Sequence, residues 1–172
     1  LVSRGFTPRQ VEAVEPAVRE FVRERLQRLA AAGVGDIVEE LFKPLPSMVV
    51  AHYLGVPEED RGQFDVWTES SFEAAAGQGF AHGGDAIADL MVYFTELIAR
   101  RRVEPGDDTI SHLVQAGMGV EGDDAGLLSI LGFAFTMVAG GNDTTTGMLG
   151  GAVQLLTQHP DQRALLLEDR GR

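Results

Sequence analysis

The residues of this chain best suited to chemistry lie together in segment 140–146, Gly-Gly-Asn-Asp-Thr-Thr-Thr. This segment interrupts an otherwise apolar stretch that runs from Leu127 to Leu156. A carboxylate beside an alcohol can move a proton: Asp143 would exchange it with solvent or another polar group, and Thr144 would offer its O–H to a bound molecule. Glycines let a flat group approach the backbone closely. The segment is therefore the candidate functional site.

The spacing of these residues is compatible with two local structures. Two glycines cost a helix interior about 1 kcal/mol each relative to Ala, and a buried Asp costs more unless it has a partner. In one interpretation, a helix ends at Gly140 or Gly141 and a second begins with Asn142 or Asp143 as its N-cap. In the other, a single helix is locally weakened, because threonine hydroxyls compete for its backbone hydrogen bonds and open a groove for water.

The elements that must position this segment are helices. Apolar residues recur with the i, i+3, i+4 spacing of amphipathic helices, and no alternating pattern of a strand exceeds about four residues. The first helix is capped by Thr7 and stops at Gly33, the second spans Pro46 to Leu54, and Asp108 caps a short one. A long helix extends from about Asp123 to His159. We therefore predict a mainly α chain of about seven helices.

Two other segments are informative. Residues 74–84 contain four glycines and predict a mobile loop between two helices. Arg100, Arg101 and Arg102 fall in the last turn of a predicted helix, where positive charge is favourable. The same three arginines could instead dock a redox protein.

Composition excludes several classes of function. The chain of 172 residues has 14 Lys+Arg against 26 Asp+Glu, a net charge of −12, which disfavours nucleic acid and anionic membrane surfaces as partners. The longest apolar run, Leu127 to Ala139, has 13 residues, fewer than the roughly 18 of a membrane span. With no signal-peptide pattern, a cytoplasmic protein is expected. The absence of Cys excludes a thiolate ligand from this chain, and the four scattered His residues predict no metal site.

The sequence from Ala139 to Thr145, Ala-Gly-Gly-Asn-Asp-Thr-Thr, resembles the central I-helix motif of the cytochrome P450 monooxygenases, (Ala/Gly)-Gly-x-(Asp/Glu)-Thr-(Thr/Ser). Three further segments resemble soluble bacterial members in the same order along the chain: residues 1–9 the stretch that follows the C-helix, residues 44–57 the E-helix and its exit, and residues 159–162 the start of the J-helix. The resemblance covers residues 1–172, which would form a partial cytochrome P450 domain.

This resemblance implies a function and a set of site residues. The protein would use haem b and dioxygen to oxidise a small apolar substrate, with electrons from a ferredoxin-type or flavodoxin-type donor. Thr144 would hydrogen-bond dioxygen and Asp143 would supply protons. Residues 77–84 would form a substrate lid. The implied cofactor-binding residues are Ala139, Gly140, Gly141, Thr144 and Thr145, and the implied substrate-binding residues are Phe133, Thr136, Met137 and Ala139.

The chain also departs from the family pattern. It has no Cys to bind the haem iron, and Glu168-Asp169-Arg170 has the wrong spacing for the family's Glu-x-x-Arg motif. We therefore expect an internal fragment, inactive alone, whose iron ligand lies outside the chain. Two rivals remain: a helical ligand-binding or regulatory domain, in which Asp143 only satisfies its neighbours, and a catalytically inactive relative of the family.

Overall fold

The computed structural model describes residues 7–75 and 80–169, and within these ranges the regular structure is helical, with no strand. This confirms the prediction of a mainly α chain with about seven helices. A π-helical turn, Val38–Phe42, precedes the second helix, and a 3-10 turn, Glu58–Asp60, precedes the third. The seven α-helices are α1 (Pro8–Ala32), α2 (Pro44–Leu54), α3 (Arg61–Ala75), α4 (Phe80–Val103), α5 (Thr109–Gln115), α6 (Asp124–Gln158) and α7 (Pro160–Glu168).

The helix ends follow the chemistry of their terminal residues. Thr7 caps α1 in a reciprocal capping box with Gln10, and Gly33 ends that helix with φ +76°. Asp123 caps α6 by accepting hydrogen bonds from the N–H groups of Gly126 and Gly119, which lower the pKa of its carboxyl. The predicted cap at Thr7 and the predicted start of the long helix are thus confirmed.

Two predicted boundaries were wrong. The second helix begins at Pro44 rather than Pro46, since proline lacks only an N–H that is unpaired in the first turn anyway. The loop predicted over residues 74–84 is also too long, because α3 continues to Ala75 and residues 80–84 belong to α4. Residues 76–79 lie outside the described residues. Propensity costs of the order of 1 kcal/mol per glycine are readily overridden when long helices pack.

The core lies where α2, α3, α4 and α5 pack on one side of α6. Helices α3 and α4 interlock through aromatic side chains: Phe64 meets Phe94 edge-on with ring centroids 6.2 Å apart, and Trp67 lies 5.4 Å from Tyr93. Such aromatic pairs stabilise the fold beyond the burial of their apolar surface, because their ring quadrupoles attract each other. The core residues with no exposed surface are Leu54, Phe64, Leu97, Ile98, Ile110, Ile130 and Ala134.

A buried ion pair joins three helix ends. Arg101 Nε lies 2.9 Å from Asp108 Oδ2, and Arg101 Nη2 donates to the carbonyl of Gly55 at 2.7 Å. Asp108, which is 6% exposed, also accepts from the N–H and Oγ of Ser111 at the start of α5. The predicted cap at Asp108 is confirmed, and Arg101 is turned inward, whereas Arg100 lies 3.4 Å from Asp60 near the surface.

Candidate functional site

Segment 140–146 lies within one uninterrupted helix, because α6 runs from Asp124 to Gln158. Neither Gly140 nor Gly141 has a positive φ; in the part of the chain that is described, such values occur only at five other glycines. Helix termination at these glycines would normally use the left-handed conformation. The segment therefore belongs to a single helix, and the interpretation of two helices meeting here is wrong.

Helix α6 has one packed face and one open face. The buried residues of the packed face are Ile130, Leu131, Ala134, Val138 and Asn142. The open face carries small and polar residues in its middle, all of them exposed: Gly132, Thr136, Ala139, Gly140, Asp143, Thr144 and Gly147. The open face is therefore the part of α6 available to a bound group.

This open face extends along a very apolar helix. By length and hydropathy alone, α6 is the one helix among the described residues that could cross a membrane, and only 22% of its most apolar window is buried. The exposed apolar side chains towards its end include Met148, Val153 and Leu155. Helix α7 continues this surface with Leu165, Leu166 and Leu167 exposed. An apolar surface of this kind is typical of an interaction site.

The structure brings together four of the residues proposed for the site. Thr136, Gly140, Asp143 and Thr144 share the open face, since positions three and four apart are neighbours on a helix. Ala139 lies at the edge of this face and is exposed. These residues form a strip in which a carboxylate and a hydroxyl flank an open stretch of backbone.

The other proposed residues lie towards the packed side. Phe133 and Met137 are partly buried and pack against the core. Thr145 is partly buried, about 100° around the helix from Thr144. Gly141 faces α2, because a Cβ on it would come within 2.8 Å of Val50 Cγ2. The structure therefore separates Gly141 and Thr145 from the strip, although the motif places them beside it in sequence.

The hydroxyl of Thr144 donates to the carbonyl of Gly140 at 2.7 Å. Thr136 and Thr157 make the same hydrogen bond to the carbonyl four residues earlier, so this contact is a general property of threonine in helices. The Thr144 oxygen keeps its lone pairs as acceptors. To donate to a bound molecule, the hydroxyl must rotate away from the Gly140 carbonyl.

Two contacts that the sequence did not reveal fix the packed side of this segment. One is the close approach of Gly141 to Val50. In the other, Thr146 Oγ1 donates to the carbonyl of Phe42 at 2.9 Å, across 104 positions in the chain. Pro46 stands where the helical donor to that carbonyl would be and has no N–H. The proline could have indicated an unpaired carbonyl, but nothing in the sequence identified Thr146 as its partner.

The two adjacent glycines should respond differently to a methyl group. Gly140→Ala should raise the free energy of unfolding by up to about 1 kcal/mol, because Ala favours the helix and, among the described residues, no side chain lies within 4 Å of its Cβ. Gly141→Ala should be less stable than Gly140→Ala by at least about 1 kcal/mol, because Val50 obstructs its methyl group. Denaturant unfolding of both variants without added cofactor measures this. Equal stabilisation by the two would contradict the placement of Gly141.

The open face has free space beside its backbone at Gly140. Among the described residues, no side chain lies within 4 Å of a Cβ built on Gly140, and its neighbours Ala139 and Thr144 are small and exposed. Within residues 7–75 and 80–169, no group of three or more His, Asp or Glu side chains is placed to hold a metal ion. What α6 presents on this face is thus an open stretch of backbone beside an exposed carboxylate and an exposed hydroxyl.

Comparisons with known proteins give consistent results. No protein-family model matches the chain. It is 68% identical over 170 residues to cytochrome P450 130 of Mycobacterium tuberculosis, an alignment covering 98% of this chain and 42% of that protein. It is 36% identical over 172 residues to 6-deoxyerythronolide B hydroxylase of Saccharopolyspora erythraea, covering 98% and 41%.

The fold agrees with these relatives. The solved structure of the bacillaene polyketide synthase cytochrome P450 PksS of Bacillus subtilis matches with a TM-score of 0.84 and 28% identity, covering 98% of this chain and 43% of that one. The chain therefore spans about two fifths of the length of the relatives that it matches.

Proposed function

Because the chain belongs to the cytochrome P450 family, as its sequence resemblance indicated, we propose that it is part of a haem-dependent monooxygenase. Its helix α6 would lie on the face of the haem where dioxygen binds. The observation that carries this proposal is the strip of Gly140, Asp143 and Thr144 on the open face of α6. In this family the strip would face the haem. The alternative of a ligand-binding or regulatory helical domain has no comparable support.

The residues present fit one face of a haem. Ala139, Gly140 and Thr144 would lie against the ring, since each is small and exposed. Haem b, when bound, would supply the redox chemistry by which this family activates dioxygen. The chain contains no Cys, so we propose that the thiolate ligand of the iron comes from sequence outside this segment. The segment alone is accordingly expected to be inactive.

The chain's own residues would deliver protons and shape the pocket. Asp143 is exposed and can exchange protons with water. Thr144 would pass a proton onward after its hydroxyl leaves the Gly140 carbonyl. Thr136 is one turn earlier on the same face, and the partly buried Phe133 and Met137 would border the pocket. Their composition favours a small apolar substrate.

We further propose a cytoplasmic protein with α6 in its interior. Asn142, Asp143 and Thr144 lie at the middle of α6, where polar groups would be costly in a lipid bilayer. The exposed apolar side chains of α6 and α7 would instead contact the remainder of a cytochrome P450 domain. Electrons would come from a ferredoxin-type or flavodoxin-type donor, and neither nucleic acid nor a membrane would be a partner.

The test is spectroscopic. The full-length gene product, purified with haem, should show the red-shifted Soret band of a thiolate-ligated haem after reduction and exposure to carbon monoxide. Gly140→Val should fold, since the described residues leave space there, yet bind less haem because its branched side chain would stand on the ring. A correctly folded, haem-loaded protein without the red-shifted band would contradict the proposed function.

A further inference from the structure

Asn142 is a buried amide without a hydrogen-bond partner among the described residues. It is 5% exposed, and neither Oδ1 nor Nδ2 bonds to another protein group. It lies on the packed face of α6, away from Thr144. Buried polar atoms in folded proteins are nearly always hydrogen-bonded, to protein or to an ordered water. This amide therefore indicates a binding site at the junction of α6 with α2.

Two contacts delimit this junction. Gly141 approaches Val50 of α2, and Thr146 donates to the carbonyl of Phe42, just before α2. Asn142 lies between these two contacts on α6, and Ser47 lies between them on α2. Ser47 is 5% exposed. By position in the chain, each of the two facing segments thus contributes one buried polar residue between these contacts.

The hydroxyls at this junction retain hydrogen-bonding capacity. Ser47 Oγ donates to Asp65 Oδ1, and Thr146 Oγ1 donates to the Phe42 carbonyl. A hydroxyl that donates once still has lone pairs to accept with. Each of these oxygens can therefore accept a further hydrogen bond.

We propose that Asn142 binds an ordered water molecule between α6 and α2, and that this water donates to Ser47. Water suits the site because the amide needs both an acceptor for Nδ2 and a donor for Oδ1, and water is both. A monovalent cation would satisfy Oδ1 and leave Nδ2 unpaired. The site is separate from the open face and does not depend on haem.

The bound water extends a polar connection to the outside of the fold. From Asn142 it leads to Ser47 and then to the carboxylate of Asp65 on α3. Partial burial raises the pKa of Asp65, while the Ser47 hydrogen bond and the charges of Arg25 and Arg61 act against that rise and Glu69 adds to it. The packed side of segment 140–146 is thereby joined to the surface by hydrogen-bonding groups.

A high-resolution crystal structure of the full-length gene product tests the site directly. We expect one water within hydrogen-bond distance of the Asn142 amide and of Ser47 Oγ. Two outcomes would overturn the proposal: an Asn142 side chain bonded only to protein groups, or a cation with metal-like distances at the site. This measurement requires no variant to fold.

Thermal unfolding of variants of the same full-length protein tests the energetic role. Asn142→Leu should lower the Tm, because it removes a satisfied amide and displaces its water. If the amide were unsatisfied, the same variant would raise the Tm. The double variant with both Asn142→Leu and Ser47→Ala should show a Tm decrease smaller than the sum of the decreases of the two single variants, since each substitution breaks the same shared interaction.

The matched control is Ser71→Ala on α3. Its buried hydroxyl donates within its own helix, to the carbonyl of Trp67 at 2.7 Å. The Tm effects of Ser71→Ala and Asn142→Leu should add. Additive effects of Ser47→Ala and Asn142→Leu, like those of the control, would overturn the proposal.

Discussion

Replacing Thr144 by Ala in the full-length gene product should lower the rate of product formation by about 100-fold. Hydrogen peroxide release should rise at the same time, because reduced dioxygen that is not correctly protonated leaves the site as peroxide. Ala is the better helix former. Thr144 is exposed, and in the part of the chain that the structure describes its hydroxyl bonds to a carbonyl of its own helix. Folding and haem content should therefore be unchanged. Product and peroxide, each counted per electron consumed, measure the effect.

Two further substitutions locate the effect in the Thr144 hydroxyl. Thr144→Ser keeps the O–H and should retain most of the coupling between electron use and product. Thr157→Ala removes an equivalent hydroxyl on the same helix, which donates to Val153 at 2.8 Å, and should leave coupling unchanged. If Thr144→Ala were as well coupled as the unsubstituted protein, the proton-delivery role would be wrong.

Replacing Asp108 by Ala should lower the free energy of unfolding by about 3 kcal/mol. Asp108 is 6% exposed, and its partner Arg101 has a side chain only 21% exposed. The substitution leaves the arginine charge largely buried and unpaired, and it removes the N-cap of α5 as well. Denaturant titration gives the change, and a loss below about 0.5 kcal/mol, typical of surface sites, would contradict the assigned role.

The surface pair of Glu15 and Arg19 is the matched control. Its Oε1–Nε distance is 2.7 Å, as short as the buried pair, yet its side chains are 53% and 70% exposed. Glu15→Ala should cost no more than about 0.5 kcal/mol, because solvent screens exposed pairs. Asp108→Asn should fall between the two, since it keeps a capping oxygen and loses the charge.

The sequence predicted those local features that depend on residues close together in the chain. Thr7 and Asp108 cap their helices as predicted, because each cap depends on residues within three positions. The motif at residues 139–145 indicated both the family and the strip formed by Gly140, Asp143 and Thr144. Helical periodicity then placed these three on one face.

Contacts between segments that are distant in the chain could not be predicted from the sequence. The four glycines in residues 74–84 predicted a loop over positions that belong to α3 and α4. Local propensity does not include the packing of these two helices against each other. Arg101 was expected to act as a favourable charge at a helix end, and only the fold brings Asp108 and the Gly55 carbonyl to it. The motif likewise could not separate Gly141 from Gly140, since the distinction depends on Val50.

The contacts of Gly141 with Val50 and of Thr146 with Phe42 hold α6 at two points along its axis. An α-helix turns by about 100° and rises about 1.5 Å with each residue. A single residue inserted between Gly141 and Thr146 would therefore put the two anchors out of phase, so that they could not be satisfied together. The same two contacts oppose a shift of α6 along its axis and a rotation about it, and so hold Asp143 and Thr144 in position relative to α2. The register of α6, and with it the direction in which its carboxylate and hydroxyl face, is thus set from the opposite side of the helix.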